Sequence, residues 1–267
     1  MATLRFTILG CGSSPGVPRP NGDWGACDPA EPRNRRRRSA LLVQRIGEDG
    51  TTTVVIDTGP DFRQQMIDAA VSHIDGVVYT HAHADHIHGI DYLRSFVLTS
   101  KTRAQIYADQ RTLDHLTASF TYIFERQKGS DYPPIVDAHA IETAKDFTIT
   151  GKGGAITLTP FGIQHGPLRI KGFKIGNLAY CTDASGFPDK TLPLIKEVDV
   201  LIVGALQYTS HPSHLSLGEA LDWIKRLAPK RAILTHMHIP LDYRTVLAET
   251  PDNVEPAYDG MVIEFEM

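Results

Sequence analysis

His81-Ala82-His83-Ala84-Asp85-His86 puts three imidazoles and a carboxylate into six residues, straight after the apolar strand-like run Gly76-Val77-Val78-Tyr79-Thr80. Imidazole nitrogen and carboxylate oxygen are donors that zinc, manganese and iron favour. The segment is too polar for a core and too rich in histidine for an ordinary turn. His81 and His83 lie two apart, so a locally extended backbone sets both on one side. Asp85 and His86 follow as the chain enters the helix-like stretch Ile87 to Leu93, where they face a second metal beside the first. The ordinary alternative is a solvated histidine-rich turn. Further donors downstream argue against it.

A chain of 267 residues is long enough for one large domain with a substantial core, and residues 1–267 are read as that single unit. Net charge is −4, which gives no global field for nucleic acid or membrane surfaces. Cys11, Cys27 and Cys181 are odd in number and widely spaced, against a disulfide framework. The amino-terminal run Leu4 to Leu9 reads as a strand rather than a signal peptide, and no apolar run is long enough to span a bilayer. A cytoplasmic enzyme is expected.

Strand-like runs at Leu4–Leu9, Ala40–Arg45 and Thr52–Ile56 open the chain, and a helix follows Gly59-Pro60. A strand near Gln105–Tyr107 and a helix near Gln110–Phe120 come after the histidine segment. Tyr122 to Glu142, with Pro133-Pro134 inside it, reads as a connecting loop or lid. Strands at Phe147–Thr150, Ala155–Ile163, Arg169–Ile175 and Asn177–Thr182 lead into alternating helices and strands that end at Met261–Phe265. Strands grouped in each half with helices between them predict a layered α/β architecture, helices outside β-sheets.

Four later positions complete a donor set. His165 ends the strand-like run Ile156 to Ile163, Asp183 follows Tyr180-Cys181-Thr182, His236 follows Ile233-Leu234-Thr235, and His214 lies in Ser210-His211-Pro212-Ser213-His214. A single histidine after a strand is ordinarily structural. Four such coincidences behind a His-x-His-x-Asp-His segment are a metal site. Cys181 reads as a small core residue. The run Arg35 to Arg38 reads as solvated, with the narrower alternative that one arginine reaches a phosphate or fixes the preceding loop. His88 is expected on the helix and His211 beside the pocket; His73, His115 and His139 carry no pattern.

The His-x-His-x-Asp-His signature resembles the metallo-β-lactamase superfamily, and the resemblance covers nearly the whole chain. It implies an α/β fold of four layers, an αββα sandwich, with a dinuclear site between two sheets. By that resemblance His81, His83 and His165 hold one divalent metal, Asp85, His86 and His236 the other, and Asp183 bridges them. Asp57, in Ile56-Asp57-Thr58-Gly59, supports the site from behind. Leu9 to Pro18, Trp24-Gly25, Thr182-Asp183-Ala184-Ser185-Gly186 and Leu234-Thr235-His236 further resemble the phosphoribosyl cyclic phosphodiesterases of bacterial phosphonate breakdown. Those enzymes open phosphoribosyl 1,2-cyclic phosphate to the 1,5-bisphosphate. The resemblance implies two metals, zinc or manganese with iron not excluded, and a metal-bridging hydroxide as nucleophile. By the same resemblance His214 and Asp85 are expected to be the catalytic residues, His214 as general acid for the departing alkoxide. Where that family carries a structural zinc after Trp-Gly, only Cys27 remains here, and His238 is one place out of register, so that zinc is expected to be missing.

The expected substrate is a small phosphodiester or nucleotide-like molecule, and a homodimer is the default assembly. The tRNA 3′-processing nucleases share the ligands but grip tRNA through an arm between the third and fourth motifs. Only 17 residues lie between His165 and Asp183, room for a hairpin, which argues against nucleic acid. A lactam or thioester hydrolase on the same site is the other alternative, because an activated water attacks carbonyls too.

Overall fold

Every second side chain of strand β1 (Thr3–Gly10) turns inward, with Leu4, Phe6 and Ile8 buried and Thr3, Arg5 and Thr7 toward solvent. The same alternation continues in β2 (Ala40–Gly47) and β3 (Gly50–Ile56). Leu41, Val43, Val54 and Ile56 enter a central core, while Leu42 and Val55 face a second, outer one. A strand buried on both faces must be covered on both, and that requirement layers the molecule. The computed structural model describes residues 2–126, 128–129 and 131–267.

Among these residues the strands form two seven-stranded sheets. In the first, β14 (Val262–Glu266), β1, β2 and β3 run antiparallel, and β3, β4 (Gly76–Val78), β5 (Ala104–Ala108) and β6 (Val136–Ala140) run parallel. The second repeats the scheme. Strands β7 (Phe147–Gly151), β8 (Gly154–His165), β9 (Leu168–Ile175) and β10 (Leu178–Cys181) are antiparallel, and β10, β11 (Val200–Gly204), β12 (Arg231–Thr235) and β13 (Val254–Pro256) parallel. The parallel strands β10 and β11 are buried along their whole length.

Helices α1 (Phe62–Asp68), α3 (Leu93–Ser100) and α4 (Gln110–Ser119) supply Phe62, Met66, Leu93, Leu113 and Leu116 to the outer core of the first sheet. Helix α7 (Leu217–Leu227) covers the second sheet with Leu217, Ala220, Ile224 and Leu227 on one face. Its start is fixed by a capping box: Ser216 Oγ accepts from Glu219 N, and Glu219 Oε2 accepts from Ser216 N. Such a cap contributes about 1 kcal/mol. The result is an αββα sandwich. No helix of the described residues is long and apolar enough to cross a membrane.

Two expectations need correction. The stretch Tyr122 to Glu142 is not simply a loop: helix α5 (Thr121–Phe124) and edge strand β6 fall within or across it, although residues 127 and 130 lie outside the described residues. The arginine run is not simply solvated either. Arg36 is 2% exposed, and its backbone pairs in both directions with Val17, while Gly12 N donates to Arg37 O. Arg37 pairs with Asp68 at 2.5 Å and Arg38 with Asp61 at 3.2 Å. The run thus fixes the glycine-rich loop that precedes it.

Asp259 closes this corner. It accepts from Cys11 N, Cys11 Sγ and Arg37 N, and burial pushes its carboxyl up to about 7. The native state therefore holds a proton that the unfolded chain, with an ordinary carboxyl, has already released. Between about pH 4 and 7 stability falls as pH rises, and above that window the loss is complete. Urea midpoints measured across that range should show this decline in the wild type and not in Asp259→Asn; parallel profiles would refute it.

Candidate metal centre

Residues at the carboxyl ends of several strands converge on one rim of the sandwich. Asp57 follows β3, His81 lies just past β4, His165 ends β8, Asp183 lies just past β10, and His236 follows β12. Asp57, Asp183 and His236 adopt left-handed backbone, with φ of 67°, 55° and 56°. Each costs on the order of 1 kcal/mol for a residue with a Cβ, and each turns the chain sharply so that its side chain points back into the rim. Helix α2 (Ala84–Ile87) begins before the helix-like stretch Ile87 to Leu93, so Asp85 and His86 project from its single turn, after an extended His83. The Asp57–Gly59 turn lies flat on this helix. A Cβ at Gly59 would sit 2.2 Å from Asp85 O.

Four histidines have one ring nitrogen committed to an acceptor. His86 Nδ1 donates to Asp57 Oδ2 at 2.7 Å. Asp57 is itself fixed by Thr80, whose N and Oγ1 both donate to it at 2.8 Å. With its proton on Asp57, Thr80 Oγ1 accepts from His81 Nδ1 at 3.0 Å. Ser39 Oγ donates to Gly12 O and so accepts from His236 Nδ1 at 3.1 Å. His165 Nδ1 donates to Ser213 O at 2.7 Å. In each case the ring is held from behind and its Nε2 is turned toward the rim. The Nε2 atoms of His81, His86 and His236 are buried with no hydrogen-bond partner, which is costly unless something else takes the lone pair. His165 Nε2 faces His83 Nδ1 at 3.3 Å.

The donors fall into groups whose ligand atoms lie within 4.8 Å of one another: His81, His83 and His165; Asp85, His86, Asp183 and His236; and a third that joins His165 and Asp183 to His214. Asp183 Oδ1 lies 3.3 Å from His86 Nε2 and 3.3 Å from His236 Nδ1. Burial raises the Asp183 carboxyl, but His236 and His86 outweigh it and hold it well below the usual carboxylate range. Burial lowers His86, and Asp183, Asp85 and Asp57 together push it above the ordinary imidazole value. Two carboxylates, Asp85 and Asp183, crowded against the orphaned His86 Nε2 fit divalent cations by donor type and by charge.

His214 stacks on His236, with ring centres 4.9 Å apart and planes at 15°, and its Nδ1 lies 4.0 Å from Asp183 Oδ2. Burial, then the His236 charge, pushes it down to about 3. The ring is therefore neutral as it stands. His211 approaches His214 at 5.2 Å, and exposed His88 packs edge-on to Phe120 outside the centre. Cys181 is buried in the central core.

Three contributors were not marked by the sequence. Ser14 Oγ donates to Asp85 Oδ2 at 2.7 Å, Ser39 orients His236, and Ser213 supplies only its carbonyl to His165. No spacing rule singles out such residues. At the corner expected to lack a structural zinc, Arg36 Nη1 donates to Cys27 Sγ at 3.8 Å, and the thiol points at the Ile239 and Leu241 carbonyls. A buried guanidinium against the one cysteine does not fit a cation there.

A family profile described as a β-lactamase superfamily domain matches residues 52–237. An octanoyltransferase of Porphyromonas gingivalis (strain ATCC BAA-308 / W83) is 30% identical over 263 residues, 97% of this chain and 51% of that protein. The chain thus spans about half the length of that curated relative. The crystal structure of a diphosphatase from the PhnP family superposes with a TM-score of 0.88 at 32% identity, covering 99% of this chain and 98% of that one. The short form of human tRNase Z shares the fold at a TM-score of 0.66 and 20% identity, over 97% of this chain and 98% of that one. The chain belongs to the β-lactamase superfamily, and within it to the PhnP family.

Proposed function

We propose that the protein is a dinuclear metal-dependent phosphodiesterase whose substrate is a small diester, such as the cyclic phosphate of phosphoribose. The observation that carries this reading is the set of buried, unpartnered Nε2 atoms of His81, His86 and His236 grouped with Asp85 and Asp183. His81, His83 and His165 would hold one cation, Asp85, His86 and His236 the other, with Asp183 between them. Zinc, manganese or iron ions bound there would supply Lewis acidity toward a phosphoryl oxygen and an acidified water at neutral pH. The protein's own part is orientation and proton handling. Asp57, Thr80, Ser39 and the Ser213 carbonyl hold the rings from behind. His214, neutral when the site is empty of substrate, gains its proton as an anionic diester settles beside it and gives that proton to the leaving alkoxide.

The PhnP-family diphosphatase supports a phosphoryl rather than a carbonyl target. Acyl transfer finds less support. All three cysteines are buried, and burial raises the Cys11, Cys27 and Cys181 thiols. The short stretch between His165 and Asp183, taken up by β9, β10 and the turns around them, leaves little room for a tRNA-gripping arm.

Metal-replete protein should hydrolyse bis(p-nitrophenyl) phosphate, stop when chelated, and leave p-nitrophenyl octanoate nearly untouched. The reverse preference would replace this reading with a carbonyl hydrolase.

A further inference from the structure

A cavity of about 280 Å³ opens directly beside His81 and His83, between the first turns of α4 and strand β9. Two cationic side chains reach it from opposite walls, Arg111 from the helix and Arg169 from the strand. Both residues are exposed, and no carboxylate of the described residues forms an ion pair with either. The one acid in the lining, Asp109, is already used. It caps α4 through Thr112 N at 3.0 Å and pairs with Lys171 at 3.1 Å. The cavity therefore carries two uncommitted guanidinium groups on a chain whose net charge is −4.

A guanidinium presents planar paired donors that match the oxygens of a phosphate, and two such forks from opposing walls match a dianion. The volume lies at the small end of ligand pockets, the size of a phosphorylated sugar rather than of a polymer. Leu168 and Ile170 supply the apolar part of the wall. We propose that this cavity seats a second, non-reacting phosphate of the substrate, held between Arg111 and Arg169, which are then specificity-determining residues. The proposal rests on the phosphodiesterase reading for the bond that is cut, but not for the phosphate that is held.

The test uses a matched pair: thymidine 5′-(p-nitrophenyl phosphate) and the same ester carrying a 3′-phosphate. Metal-replete wild type should favour the 3′-phosphorylated ester by about tenfold or more in kcat/KM, chiefly through KM. Arg111→Gln and Arg169→Gln should each shrink that ratio, and the double variant should bring it close to one. Arg226→Gln, on the far helix α7, should keep it. Thymidine 3′,5′-bisphosphate, titrated calorimetrically into the same proteins, should bind about tenfold or more weakly to the double variant. Equal use of both esters by the wild type would overturn the proposal, as would bisphosphate binding that ignores both arginines. If no diester is cleaved yet the titration still depends on Arg111 and Arg169, the phosphodiesterase reading fails and the phosphate seat stands.

Discussion

Asp183→Asn is expected to lower metal-supported phosphodiester hydrolysis by on the order of a thousandfold or more. The carboxylate is 2% exposed and lies against His86, His236 and His214, so solvent cannot substitute for it. Asparagine is the informative replacement because it tolerates the left-handed backbone at φ 55° while removing the charge. Alanine at the same place adds backbone strain and confounds folding with chemistry. Metal analysis of the purified variant should show fewer than two bound ions per chain, and thermal unfolding should become less sensitive to chelator than in the wild type. A variant with full turnover and two bound ions would show that Asp183 is not the bridging residue.

For His214→Ala the expected loss is about 10²- to 10⁴-fold, with the metal content unchanged. The distinguishing variable is the leaving group. A p-nitrophenolate departs without a proton, whereas a sugar alkoxide needs one, so the defect should be small on p-nitrophenyl esters and large on alkyl diesters. His214 also sits in a donor group with His165 and Asp183. Loss of a metal ion in His214→Ala, with equal defects on both substrate types, would make it a ligand instead of a proton donor.

The donors were legible because metal chemistry restricts residue type and because strand ends place them. His81, His83, Asp85 and His86 sit in one short segment, and His165, Asp183 and His236 each follow an apolar run. The supporting residues were not. Ser39 and Ser14 reach the centre through contacts with His236, almost 200 positions away, and with Asp85, 71 positions away, and neither belongs to a periodic pattern. Arg36 reads as one charge in a run until the fold buries it. Strands β6 and β13 escaped for another reason. Both are edge strands: β6 buries only Val136, and β13 is three residues long and ends in proline. Interior strands announce themselves by burial on both faces. Edge strands do not need to.

The pairing of β1 with β14 sets a schedule for biosynthesis. Phe6 lies opposite Ile263 and Leu4 opposite Phe265, so β1 leaves the ribosome long before the strand it pairs with. Until β14 is made, the sheet that holds β1 presents an open hydrogen-bonding edge, the feature that invites edge-to-edge association in nascent chains. Co-translational chaperone occupancy should therefore persist until Val262–Glu266 emerges, and slow elongation should cost soluble yield.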